Sequence, residues 1–157
     1  MRSYAPRACR PVLHPVLTRD HLSVVSAVTA TAQLYSQVYS HSIDGPTFLL
    51  FVQHLVDKVG GPLILCWDRA SIHRAEAQAW LTARCKSQVW VVPLPAYAPE
   101  LNPDEGVWNH LKYVELCNVS CSNPRQLRWY LHRALMRLRS KPHLIESFFD
   151  GAGLPLD

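Results

Sequence analysis

The sequence predicts an α/β fold, on three observations. Two short apolar runs, residues 62–67 (PLILCW) and 88–92 (QVWVV), read as strands covered on both faces. Apolar residues at helical spacing lie before, between and after them. The resulting order is strand, strand, helix, strand, helix, strand, helix, helix, as in an α/β sheet with crossovers.

Each element has a local cause. Residues 1–20 hold Pro6, Pro11, Pro15 and several basic residues with little periodicity, and are expected to form an arm or loop. Residues 22–32 are rich in Val, Ala, Ser and Thr, which suits a strand. Residues 33–42 continue with Leu34, Tyr35, Val38 and Tyr39 and read as its paired neighbour. Asp44 is placed to cap a helix carrying Phe48, Leu49, Val52, Leu55, Val56 and Val59, which Gly60-Gly61 stops. After the strand at 62–67, Ser71 can cap a helix running to about Cys85. A proline-punctuated stretch follows the strand at 88–92. A helix is then expected from about Pro103, with Val107, Leu111 and Val114 on one face. The last predicted helix spans about 124–139, with Leu127, Leu131, Leu135 and Leu138 as its stripe. Residues 21–145 are therefore assigned to one catalytic-sized domain and residues 146–157 to a C-terminal tail.

The bulk numbers exclude several classes. At 157 residues, 48% hydrophobic and 18% charged, the chain is long and apolar enough for one core and is not of disordered composition. No apolar run approaches a membrane span, and the first residues, with arginines and no continuous apolar stretch, are not expected to be a secretory signal. Cys9, Cys66, Cys85, Cys117 and Cys121 form no zinc pattern, so reduced thiols in the cytoplasm are expected. The net charge of +4 favours a polyanionic partner only mildly.

Two carboxylates carry the chemistry. Asp68 directly follows the apolar strand at 62–67, and the C-terminal ends of such strands are where α/β sheets bind ligands. Alone, it reads more readily as a helix cap or loop residue. Glu105 sits in the first turn of the helix begun by Pro103, where the helix dipole also favours an acid. Between them lie 36 residues, enough for a helix, a strand and a connection. A right-handed crossover would return the chain to the same end of the sheet. Two carboxylates there could share a hard divalent cation.

Residues 97–108 (YAPELNPDEGVW) resemble the signature around the last carboxylate of mariner-like transposases, above all those of the insertion sequence 630 family. Residues 67–73 (WDRASIH) resemble that family's segment around its second Asp, and the resemblance extends over nearly the whole chain. It implies a ribonuclease-H-like mixed sheet with flanking helices, and Asp68 and Glu105 as catalytic ligands for Mg²⁺ or Mn²⁺ in a two-metal site. It further implies cleavage of transposon ends and joining to target DNA. Arg69 stands where Asn is frequent, and Asp104 where an apolar residue is usual.

The family's first Asp would lie on a strand before the segment matching Tyr4-Ala5-Pro6-Arg7. Asp20 and Asp44 do not match that position. The first central strand is therefore expected to be missing from these residues, and the chain by itself is expected not to cut DNA and to associate or rearrange. Arg125, Arg128 and Arg133, on the basic helix at 124–139, are candidate DNA-binding residues, though a solvated face explains them as well. Trp67, Trp90, Trp108 and Trp129 are expected to be core or half-buried. His73 and, more weakly, His110 are candidates to lie near the metal. Three readings remain open: a transposase catalytic fragment, a non-enzymatic remnant that binds DNA, full-length transposase or a second copy, and an unrelated ribonuclease-H-like nuclease.

Overall fold

The computed structural model describes residues 21–68 and 89–156. The predicted arm at 1–20 and the predicted helix at 71–85, with Arg69, His73, Cys9 and Cys85, lie outside the described residues.

Strand β1 (Ser23–Val28) pairs antiparallel with β2 (Leu34–Tyr39), with Ser26 opposite Ser36. The turn between them closes through Ala32, which adopts φ 56° and donates to the Thr29 carbonyl at 2.9 Å. Helix α1 (Gly45–Val59) starts at Asp44, whose carboxylate accepts from the Thr47 amide at 2.9 Å. It ends at Gly60, whose φ of 70° suits a residue without Cβ. Strand β3 (Leu63–Trp67) pairs in parallel with β4 (Val89–Pro93), Leu63 facing Val89 and Trp67 facing Pro93.

The two ladders are not hydrogen-bonded to each other among the described residues. They nevertheless share one helix. Phe48 and Val52 of α1 pack with Val25 of β1 and with Leu65, Trp67, Val89 and Val91 of the second ladder. One apolar helix face thus spans both pairs of strands.

The C-terminal third is helical. Helix α2 (Pro103–His110) runs into a π-turn (Leu111–Glu115), followed by α3 (Pro124–Arg139) and α4 (Pro142–Gly151). Val107, Leu111, Leu131, Ala134, Leu135, Leu138 and Ile145 form the main core against β1 and β2. Where the sequence reading placed a tail from residue 146, the structure carries α4 with Ile145 and Phe149 buried. The spacing of Leu144, Ile145, Phe148 and Phe149 is helical, and Pro142 suits a first-turn position.

The π-turn alters one expected face. The Leu116 amide reaches back five residues to the Leu111 carbonyl at 2.9 Å. The extra residue per turn rotates Val114 outward, where it is 59% exposed, and brings Glu115 inward. Glu115 there accepts hydrogen bonds from the Arg137 guanidinium, one of them at 2.7 Å from Nε. Guanidinium partners also hold α3 to the outer edge of β2: Arg139 Nε donates to the Leu34 carbonyl at 3.1 Å, and Arg128 donates to that of Val38 at 2.8 Å. Carbonyls of an edge strand are thereby occupied.

Candidate active site between β3 and α2

The site is built from the ends of two elements. β3 delivers Asp68 immediately after Trp67, which is buried against Phe48 with ring centroids 5.4 Å apart. The Leu94 amide donates to the Trp67 carbonyl at 2.8 Å, so the chain leaving β4 stays beside the end of β3. From there residues 94–99 cross to a 3₁₀ turn (Pro99–Leu101) and into α2. Asn102 caps α2, its side chain accepting from the Asp104 amide at 3.2 Å, and Pro103 takes the first position where no donor is needed. Glu105 follows within the first turn.

Asp68 and Glu105 line one cleft of about 370 Å³, together with Leu94, Tyr97, Pro99 and Asn102. The two acids that the sequence spacing singles out therefore border the same space.

Asp104, beside Glu105, does something different. Its Oδ2 accepts from the Ser26 hydroxyl of β1 at 2.8 Å and from the Trp108 indole at 3.0 Å. The residue keeps some accessible surface, yet Oδ1 is sealed from solvent without a hydrogen-bond partner among the described residues. Burial pushes the carboxyl up to about 6, against the lowering effect of its two donors. Asp104 thus ties the first turn of α2 to the sheet. In the sequence Asp104 stands out as a departure from the apolar residue expected there. The polar partner that explains it, Ser26, is 78 positions away.

Gly106 sets the third side of this junction. A Cβ there would lie 2.6 Å from Cγ of Phe148, so only glycine allows α2 to approach α4 this closely.

The remaining candidates lie elsewhere. His110 does not line the cleft; its Nε2 is 3.6 Å from Glu115, too far for a hydrogen bond. Arg125 and Arg128 line a second cleft of about 490 Å³ with Leu22, Ser40, Asn123 and Pro124. Arg133 stacks over Trp129 at 4.7 Å from the ring centroid. Trp67 is buried and Trp108 half-buried, as expected, but Trp90 is 54% and Trp129 52% exposed. Cys66, Cys117 and Cys121 are free thiols. No helix among the described residues is long and apolar enough to cross a membrane.

The sequence pattern described as the DDE superfamily endonuclease matches residues 1–128. The chain belongs to that family. The resemblance of residues 67–73 and 97–108 to mariner-like transposases agrees with it. No curated protein matches the chain in sequence. Among solved structures, the Mos1 transposase paired-end complex with left transposon end aligns with a TM-score of 0.60 at 15% identity, covering 100% of this chain and 52% of that one. The Mos1 strand transfer complex aligns with a TM-score of 0.61 at 14% identity, covering 100% and 50%. The Mos1 mariner paired end complex with Mn aligns at 0.60 and 14%, covering 98% and 50%. The mixed α/β fold is therefore that of the Mos1 transposase, and the chain spans about half the length of these relatives.

Proposed function

We propose that this chain is a transposase catalytic domain of ribonuclease-H-like fold that cleaves DNA strands and transfers them to target DNA, with Asp68 and Glu105 as ligands of Mg²⁺ or Mn²⁺. The observation that carries the reading is that these two acids, with 36 residues between them in sequence, border one cleft. Family membership and the fold support it. The donor set fits a hard cation in kind, since both groups offer carboxylate oxygen. It is incomplete in number: among the described residues no three His, Cys, Asp or Glu side chains are gathered to hold an ion.

A bound pair of such ions would polarise a phosphodiester and activate an attacking hydroxyl. The chain's own residues do the rest. Asp68 presents its oxygens from the end of a strand. Glu105 presents its own from a helix turn fixed by Asn102, Asp104 and Gly106. Arg125, Arg128 and Arg133 would receive DNA phosphates along α3, positioning transposon ends and target.

The separate β1–β2 and β3–β4 ladders under one helix support a further element of the reading. A central strand carrying the third carboxylate would fit between β1 and β3, completing both the sheet and the metal site. Without it the 157 residues alone would bind DNA but not cut it, and the edges left unpaired among the described residues would favour association with a second copy or with a full-length transposase.

Supercoiled plasmid and Mn²⁺ test this. The 157-residue chain alone is expected to leave the plasmid intact. The chain fused to an upstream strand bearing an Asp is expected to nick it, and Asp68→Asn or Glu105→Gln is expected to abolish nicking. Nicking that survives both substitutions would contradict the proposal. DNA retention without nicking by the fused chain would favour a non-enzymatic remnant.

A further inference from the structure

Tyr97 stands at the mouth of the cleft that Asp68 and Glu105 border. Its backbone has φ 58°, in the left-handed region that a bulky side chain rarely occupies. Its side chain is 102% exposed, as open to solvent as in an isolated peptide. These two facts together need a cause. A residue in a left-handed turn is most easily Gly or Asn, and an exposed ring contributes no packing to offset the strain. Among the described residues, packing therefore gives no reason for a tyrosine here. Strain of this kind collects at functional sites, where an outside ligand makes use of the side chain it presents.

We infer that Tyr97 is a base-stacking platform, its ring receiving an unpaired nucleobase of DNA beside the cleft that Asp68 and Glu105 border. The inference rests on the proposed function for the identity of the ligand. Three features of the surroundings suit it. The flanking residues Pro95, Ala96, Ala98 and Pro99 are small or rigid, so they leave the ring face clear and hold the turn. The turn sits between two fixed points, the Leu94 amide on the Trp67 carbonyl and the 3₁₀ turn at Pro99–Leu101. Among the described residues that line the cleft, Tyr97 is the one aromatic ring that a base could stack on. Stacking is sequence-tolerant, because every base offers a π-face. The platform would hold the strand at the cleft without reading its sequence.

The test is binding of a fluorescein-labelled DNA duplex with an unpaired 3′ overhang, by anisotropy, to the full chain and to three variants. A blunt duplex of the same sequence serves as the reference. Tyr97→Ala and Tyr97→Gly are expected to weaken overhang binding by on the order of ten-fold while changing blunt-duplex binding little. Tyr97→Phe is expected to restore it. Thermal melting separates this from a structural role: Tyr97→Gly relieves the left-handed strain, so its midpoint should equal or exceed that of the parent while its overhang binding is lost. Equal affinity of parent, Ala and Gly variants for the overhang would overturn the inference. So would a Phe variant as weak as the Ala variant, since the hydroxyl and not the ring would then be the contact. If the parent chain binds neither DNA, the proposed function fails together with the inference. If it binds the blunt duplex and shows no preference for the overhang, only the inference about Tyr97 fails.

Discussion

The helical body formed by α2, α3 and α4 on β1–β2 differs sharply from the β3–β4 ladder on α1. In the first, Val107, Ala134, Leu138 and Ile145 are wholly buried. In the second, one face of the ladder is open: Ile64 is 71% exposed and its cross-strand partner Trp90 54%. Parallel ladders are ordinarily covered on both faces. The candidate site takes one acid from each region. Glu105 comes from a helix held by the Ser26–Asp104 bond and by close approach to Phe148, while Asp68 comes from the end of the thinly covered ladder. Half of the site is thus held by packing, and the other half depends on a strand supported, among the described residues, mainly by α1.

Cutting the core of the helical body should have the largest effect. Leu138→Ala removes a fully buried side chain and is expected to cost about 2–5 kcal/mol, read as a lower denaturation midpoint. An equal loss from Ile64→Thr would erase the contrast between the two regions.

The α2–β1 tie should respond to pH. Asp104 has its folded carboxyl raised to about 6 from a usual 3.8, so the neutral form favours the folded state. Its stabilising contribution is present below about 3.8 and is lost as pH rises through about 6. At most roughly 3 kcal/mol is involved. In EDTA, the melting midpoint of the parent chain should fall between pH 5 and pH 7, and Asp104→Asn should flatten that fall. A variant whose profile parallels the parent's would show that the carboxyl does not ionise as its burial dictates.

Gly106→Ala should be milder. The new Cβ meets the base of the Phe148 side chain, which cannot swing away at its far end. A loss of about 1–3 kcal/mol in chemical denaturation is expected despite the better helix propensity of alanine. Stabilisation instead would mean that α2 and α4 have room to part.

The smallest effect belongs to the open ladder face. Ile64→Thr keeps a β-branched side chain at a position with little to pack against and should shift stability by less than about 0.5 kcal/mol. A larger loss would show that something covers that face in solution.

Much of this was legible in the sequence because it is local. The Asp44 cap, the Gly60 stop, the apolar β3 run and the stripe Leu131, Leu135, Leu138 each follow from neighbours a few residues apart. The spacing of Asp68 and Glu105 was equally readable. What the sequence hid is non-local or breaks a period. The Asp104–Ser26 bond joins distant segments, and nothing near Asp104 announces it. The π-turn at Leu111–Glu115 shifts a helical face by one residue, which reverses the roles of Val114 and Glu115. Helix α4 was missed although Ile145 and Phe149 carry helical spacing, because its short length and terminal place resemble a tail. The exposure of Trp90 and Trp129 depends on what covers each face, and periodicity does not tell that.

The central claim is that Asp68 and Glu105, brought from these two unlike regions, share a divalent cation. Titrating Mn²⁺ into the chain and reading the free ion by electron paramagnetic resonance tests it most directly, since no cleavage is required. The account predicts that Asp68→Asn and Glu105→Gln each weaken Mn²⁺ binding by about ten-fold or more, and that the double variant loses little beyond either single one. Mn²⁺ affinity unchanged in both single variants would contradict it.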